Sequence, residues 1–399
     1  MHAAAGAAIE ALPARKRDGR AAELAWNFLR ADDSARALAW SMLAADQAAA
    51  VFAHSDAELH YRTAIELAQE TGDEARRAEA LTKLGDSLTA SSRYGEALDV
   101  LGQAAMLYRE LGDRPGEIRA LAATGIVHSY HGTAKEGLAL IKATLSSLDS
   151  EEPSPELARL YLALTHLSFR AGRDTETLAA SERTAAIARE IGDERILAQA
   201  EMRLGTVGRR FNLSGTEESM ALLRQARTRA GAVGDLSTAS VALNNLAYAC
   251  LLDGRLQDNL EYRKLSLEVG ERIDEPARHA FGLCMVGQAH YFLGSFNGGR
   301  ALIERAIELV RGLPLSVCTA YPMLNAAWIA SAQGRWDEAT SYLAECSPLL
   351  RNQDAQAAGI VRFVGAELHL LRNRPQAALA TYAGTQPDQL QPWEPPALC

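Results

Sequence analysis

The stretch DEARRAEALTKLGDSLTASSRYGEALDVLGQAAMLYREL, residues 73–111, decides the fold of this chain. Its apolar residues recur at helical spacing over 74–90 and again over 94–112, with a short turn between the two segments. This spacing predicts two amphipathic helices, A and B, joined as a hairpin. Gly72 is expected to end the preceding helix and Asp73 to cap helix A, because glycine tolerates a left-handed conformation and aspartate accepts a hydrogen bond from a free backbone amide.

This hairpin recurs along nearly the whole chain. One small residue inside helix A marks each of nine repeats, and the steps are 40 residues except for one of 42 and a last one of 39. The nine markers are Ala45, Gly85, Gly125, Thr165, Gly205, Ala247, Gly287, Ala327 and Ala366. Self-similarity at a fixed period is typical of a helical solenoid, in which each repeat buries its apolar face against its neighbours.

The repeats also predict how the chain is divided. Residues 1–19 are expected to form a flexible N-terminus, and residues 20–383 the repeat array. Within the array, residues 20–31 are expected to form a capping helix ahead of nine helix pairs. Residues 384–399 are rich in proline and have no periodicity, which predicts a disordered tail.

Composition restricts the kinds of partner. The 399 residues are 48% hydrophobic and 23% charged, with a net charge of −9, which is typical of a folded protein. The acidic balance argues against direct nucleic-acid binding, because phosphate contacts need clustered Lys and Arg.

Five cysteines without a CxxC pair predict free thiols in a reducing compartment. The N-terminus does not fit a secretory signal, and no apolar run approaches the ~20 residues of a membrane span, so we expect a cytoplasmic protein without membrane contact.

The repeat resembles the tetratricopeptide repeat (TPR), which has a small residue at its eighth position and alanine at its twentieth and twenty-seventh. Gly85, Ala97 and Ala104 occupy these positions. The 40-residue period exceeds the usual ~34 residues, and in this respect the chain resembles the helical sensor arrays of bacterial maltose-activator-like regulators and signal-transduction NTPases. The resemblance implies an all-α fold: a right-handed α-α superhelix of about nine helix pairs, with ligands held in a concave groove.

In TPR proteins, positions 2, 5, 9, 12 and 13 of helix A line this groove. Carried onto repeats three to five, these positions are mostly basic or aromatic. They give the candidates Arg119, Tyr130, Arg159, His166, Arg170, Arg209 and Arg210. Several arginines on successive inner faces favour an acidic partner. The alternative is that they reach solvent or pair with neighbouring acids.

Repeats six to eight carry amide and aromatic side chains at the same positions. The candidates are Asn244, Tyr248, Gln288, Tyr291 and Trp328. The stretch LNNLA at 243–247 resembles the asparagine-bearing helix of peptide-binding arrays such as kinesin light chains and peptide-pheromone receptors. In those proteins the Asn amide holds a peptide backbone, since it offers both a donor and an acceptor. The aromatic side chains are equally compatible with ordinary packing between helices.

Pro322 interrupts the pattern, because its register places it inside helix A of the eighth repeat. A proline there removes a backbone hydrogen bond, so the helix is expected either to begin late, near Thr319, or to bend.

No motif for a nucleophile, a phosphate-binding loop or a dinucleotide is present in the sequence. We therefore expect no catalytic residue, no cofactor and no metal. The first hypothesis is a non-enzymatic scaffold or regulatory module that binds a protein or peptide segment, with an acidic one favoured. The alternative is the effector-sensing part of a bacterial regulator that binds a small anionic molecule. An exposed terminal repeat would also allow two copies to form a homodimer.

Overall fold

A computed structural model of the chain describes residues 1–148, 152–210, 216–273, 275–313, 317–348 and 355–382. Its regular elements are helices and no strand occurs in these ranges, which confirms the predicted all-α class. None of the described helices has the length and apolar composition that a membrane crossing requires.

Three helices precede nine pairs in the described part of the chain. The first three are α1 (His2–Glu10), α2 (Ala14–Asp18) and α3 (Ala21–Leu29). The helix A elements are α4 (Ser34–Ala50), α6 (Glu74–Ala90), α8 (Arg114–His131), α10 (Pro155–Arg170), α12 (Glu194–Arg210), α14 (Leu236–Leu252), α16 (Pro276–Phe292), α18 (Val317–Ala332) and α20 (Ala355–Leu371). The helix B elements are α5 (His54–Thr71), α7 (Tyr94–Glu110), α9 (Ala134–Ser146), α11 (Asp174–Ile191), α13 (Thr216–Ala232), α15 (Leu256–Gly270), α17 (Phe296–Val310), α19 (Trp336–Cys346) and α21 (Pro375–Tyr382).

The chain divides into two compact regions. The N-terminal region comprises Met1–His131 and Ala139–Asp149, and the C-terminal region comprises Gly132–Leu138 and Ser150–Cys399. Each region has an apolar core made by stacked helix pairs. Phe28, Leu84 and Leu101 lie in the first core, and Leu283 and Trp328 lie in a core of the second.

Helix ends follow the predicted punctuation. The Asp73 carboxylate accepts a hydrogen bond from the Arg76 amide at 3.1 Å, and Ser154 caps α10 through the Leu157 amide at 3.2 Å. Gly72 ends α5 with a φ of 70°, a conformation that glycine adopts without a steric penalty. These caps make each repeat begin and end at defined residues.

Small residues recur at positions 8, 20 and 27 of the repeats, and these columns bring helices into close contact. A β-carbon added at Gly85 would lie 2.5 Å from Cγ of Leu101. Cys346 lies at position 27 of the eighth repeat, as Ala104 does in the second. It is a buried free thiol, with its Sγ 3.9 Å from the carbonyl oxygen of Ala320. These residues serve the packing of one helix against the next.

The prediction of a flexible segment over residues 1–19 is wrong, because α1 and α2 form there. Ile9 of α1 is only 6% exposed, and a β-carbon added at Gly6 would lie 3.0 Å from the Phe28 ring. Packing on α3 therefore orders a short helix that has little amphipathic pattern of its own. The predicted disordered tail, residues 384–399, lies outside the described residues.

Candidate functional site

Two of the predicted groove residues lie in the N-terminal region. Arg119 of α8 is half-buried, and its Nε atom has no hydrogen-bond partner among the described residues. Tyr130 is 41% exposed and stacks on Tyr94, with ring centroids 6.2 Å apart. Both residues occupy the helix A face, but they belong to different turns of α8.

The fourth and fifth repeats form a basic cluster in the C-terminal region. His166 of α10 lies close to Arg170 and to Arg203 of α12, and burial together with these two charges lowers the pKa of the imidazole to about 3. The guanidinium of Arg203 lies over the Phe169 ring, 3.9 Å from its centroid. At neutral pH the imidazole is therefore uncharged and the positive charge resides on the two arginines.

Arg159 behaves differently from its neighbours. It is half-buried, and its Nη1 lies 3.9 Å from the Glu156 carboxylate one helical turn earlier. This contact matches the alternative, in which a groove arginine pairs with a nearby acid. Arg209 and Arg210 lie in α12, but their side chains are outside the described residues.

An arginine from helix B reaches Asn244 in the sixth repeat. Arg263 of α15 is 6% exposed, and its Nη1 donates to Oδ1 of Asn244 at 2.7 Å. Tyr248 and Tyr321 are close enough to act on the charge of Arg263, as is the buried thiol of Cys284. Burial lowers the pKa of Arg263 to about 10, so the guanidinium remains charged at neutral pH.

A polar side chain at position 6 of helix A repeatedly contacts position 9 of the preceding repeat. Nδ2 of Asn325 donates to the Tyr321 carbonyl, and its Oδ1 accepts from Gln288 at 2.8 Å. The other pairs joined by hydrogen bonds are Lys83 with Asp46 at 2.9 Å and Asn245 with Thr206 at 2.7 Å. Arg203 near His166 has the same relative placement. Gln288 is thus engaged in a contact between repeats.

Aromatic rings gather on the seventh and eighth repeats. The ring of Tyr291 lies 5.0 Å from that of Trp328 at an interplanar angle of 63°, and Phe292 lies 5.5 Å from the same indole. Trp328 is 5% exposed, whereas Tyr291 is half-buried. A hydrogen bond joins Trp328 to Glu367, whose pKa is raised by burial. The rings are thus part of the apolar core and border the helix A face.

Pro322 lies inside α18, which begins at Val317. The helix therefore continues through the proline. Tyr321 precedes it and packs edge-on against Phe281, with centroids 5.0 Å apart.

The described residues contain no cluster of three or more His, Cys, Asp or Glu suited to a metal ion. A cavity of about 480 Å³ lies in the C-terminal region among residues 191–195, where α11 ends and α12 begins, together with Pro155 and Val233. None of the predicted site residues lines this cavity. The candidate site is therefore the helix A face itself.

Four residues that make contacts on or next to the helix A face were not among the predicted site residues: Arg203, Asn245, Arg263 and Asn325. Three of these lie at position 6, outside the positions associated with the groove, and Arg263 lies on helix B. The recurrence of polar residues at position 6 was a usable signal for the contacts between repeats. Nothing in the local sequence distinguishes Arg263 from a solvent-exposed helix B arginine.

Comparisons with known proteins support the repeat architecture. A family model described as anaphase-promoting complex subunit 5 matches residues 132–210, and no curated protein matches the chain by sequence. Among solved structures, the chain is similar to a Rap protein in complex with competence and sporulation factor (12% identity, TM-score 0.64, 86% of this chain and 95% of that chain).

Two further structures have the same architecture. One is the Rap conjugation gene regulator of plasmid pLS20 in complex with the Phr* peptide (14% identity, TM-score 0.52, 76% of this chain and 94% of that chain). The other is aspartyl phosphate phosphatase F from Bacillus subtilis (13% identity, TM-score 0.50, 85% of this chain and 90% of that chain). Similarity at such low identity concerns the fold alone. The chain therefore has the TPR-like helical-repeat fold.

Proposed function

We propose that this chain is a non-enzymatic regulatory scaffold that binds a segment of another protein, or a peptide, across the helix A faces of repeats four to eight. Helices α10, α12, α14, α16 and α18 supply these faces, and all belong to the C-terminal region. A ligand lying across several of them would contact chemically different side chains in sequence, and such an arrangement suits an extended chain.

The observation that carries the proposal is the change in chemistry along these helices. Arg170 and Arg203 surround an uncharged His166 in repeats four and five. Arg263 and Asn244 follow in repeat six, and aromatic rings follow in repeats seven and eight. Positive charge in partly desolvated surroundings favours an acidic segment, and half-buried rings provide contact area for apolar side chains.

The similar proteins give independent support for a peptide ligand. Two of the similar Rap structures are complexes with a bound factor or peptide, and in both cases the similarity extends over at least 76% of this chain. These structures therefore provide a precedent for peptide binding by a regulator with this fold.

A sensor for a small anionic effector is the second candidate, and the cluster around His166 favours it. Two arginines beside a half-buried, uncharged ring would suit a compact acid as well as an acidic side chain. Thermal unfolding in the presence of phosphorylated and carboxylated metabolites would separate the two candidates, since a ligand at 100 times its dissociation constant raises stability by about 2.7 kcal/mol.

Peptide-array binding with the whole chain tests the proposal. We expect Arg170→Glu to weaken the capture of acidic peptides at least about tenfold. We expect the separate variant Asn244→Ala to weaken this capture as well. Arg227→Glu makes the same change in charge at an exposed position of helix B in α13 and serves as the matched control. Binding that is unchanged in both groove variants, or equally weakened by the control, would contradict the assignment of the groove.

A further inference from the structure

The environment of Arg263 differs from that of Glu201, another buried charge in the C-terminal region. Glu201, which is 2% exposed, has Arg229 at 3.0 Å. Arg263 is also buried, at 6% exposure, but it forms no ion pair with any residue in the described ranges. A buried charge without a counter-charge is energetically unfavourable. Buried charged side chains are therefore usually paired with an opposite charge or fully hydrogen-bonded.

The hydrogen bonds of Arg263 are also incomplete. A guanidinium carries five N–H donors, and the described residues provide it with one hydrogen bond, from Nη1 to Oδ1 of Asn244. The Nε atom is buried without a partner. Burial raises the pKa of the nearby Cys284 thiol well above its ordinary value, so that thiol stays neutral and does not balance the cation.

Asn244, on the helix A face of repeat six, adds a second hydrogen-bond donor next to Arg263. Its oxygen accepts from Arg263, and because a guanidinium cannot accept a hydrogen bond, this contact fixes the orientation of the amide. The Nδ2 group of half-buried Asn244 has no acceptor among the described residues. Arg263 and Asn244 together therefore offer unused N–H donors and one positive charge.

We infer that Arg263 and Asn244 form a binding site for a carboxylate group of the ligand. This inference rests on the proposed function, because the site lies on the helix A face of repeat six. A carboxylate supplies a negative charge to balance Arg263 and accepts hydrogen bonds from two N–H groups of a guanidinium at once. The group can be the C-terminus of a peptide, an Asp or Glu side chain, or a free small acid.

The test uses the whole chain labelled with 15N at arginine, in which the Arg263 Nε–H signal is assigned by its loss in Arg263→Met. Four probes distinguish the sources of the carboxylate: acetyl-dialanine as the free acid, its C-terminal amide, an acetylated Asp-Ala dipeptide amide, and succinate. We expect at least one acid to shift the Arg263 signal. We also expect the acetyl-dialanine amide to leave it in place or to bind about tenfold more weakly.

Two variants complete the design. Arg263→Met should abolish the preference for acids, whereas Arg263→Lys should keep the preference but bind more weakly, since it retains the charge and loses the planar fork. The inference would be overturned if no acid shifted the Arg263 Nε–H signal at millimolar concentration. It would also be overturned if acetyl-dialanine and its C-terminal amide shifted that signal equally. If peptides were still captured after that result, the carboxylate site would be refuted but the scaffold proposal would stand. If the chain captured no peptide at all, the scaffold proposal would be refuted as well.

Discussion

Gly287 of α16 and Gly299 of α17 form a backbone contact whose energetic value can be measured. A β-carbon added at Gly299 would lie 2.5 Å from the carbonyl oxygen of Gly287 and 3.3 Å from the backbone nitrogen of Tyr291. Neither atom belongs to a side chain that can rotate away, so α17 would have to move off α16. Overpacking of this kind costs about 1–3 kcal/mol, and the better helix propensity of alanine returns about 1 kcal/mol at most. We expect Gly299→Ala to lower the free energy of unfolding by about 2 kcal/mol.

The adjacent glycine provides the matched control. A β-carbon added at Gly298 would meet only the hydroxyl oxygen of Ser295, at 3.1 Å, and that side chain can rotate. We expect Gly298→Ala to leave stability unchanged or to raise it by up to about 1 kcal/mol, because it gains helix propensity without a backbone clash. Urea unfolding followed by linear extrapolation gives both free energies. Equal stability of the two variants would refute the idea that the small columns exist to let these backbones approach.

Three further changes test the charges of the C-terminal region. Burial and two nearby arginines lower the pKa of His166 from 6.5 to about 3. As the pH drops below 6.5, the imidazole becomes protonated in the unfolded chain but not in the folded one, so the free energy of unfolding falls. His166→Gln should recover about 2 kcal/mol of that loss near pH 5 in urea unfolding measured at several pH values. Arg229→Met removes the nearer ion-pair partner of the buried Glu201 carboxylate and leaves the more distant Arg189 as its partner among the described residues. This change should lower the unfolding free energy by about 3 kcal/mol, and the added change Glu201→Gln should restore most of that loss. Arg263→Met removes a buried cation that has no counter-charge among the described residues, so the ligand-free chain should gain about 1–2 kcal/mol of stability in calorimetry. A large loss would contradict the description of this site.

The repeat architecture was predictable because it depends on local patterns. Residues 74–90 carry an apolar stripe and a capping aspartate, and they form α6 as Glu74–Ala90. Gly72 has the left-handed conformation expected of it, with a φ of 70°, and Gly132 between α8 and α9 also has a positive φ, of 82°. Each of these features is determined by a few neighbouring residues and by the periodicity of 3.6 residues per turn, so no knowledge of tertiary contacts was needed.

The chemistry of the inner face was only partly predictable. Position alone places His166 and Tyr291 on the helix A face, but it does not reveal that the imidazole is uncharged or that the phenol ring packs on Trp328. Arg263 was missed because its side chain reaches helix A from a helix B position. Such contacts depend on the separation of neighbouring helices and on side-chain length, which periodicity does not encode.

The neighbouring asparagines of LNNLA show why the inner face suits a carboxylate better than a peptide backbone held by Asn alone. Asn245 donates to Thr206 at 2.7 Å, so it holds two repeats together. Asn244 uses its oxygen for Arg263, so only the donor half of its amide remains for a ligand. A peptide backbone presents both donors and acceptors, and its N–H groups would face a guanidinium and an amide NH₂ that cannot accept them. A carboxylate presents acceptors only and carries the negative charge that no described residue supplies to Arg263, so these two side chains select an acid.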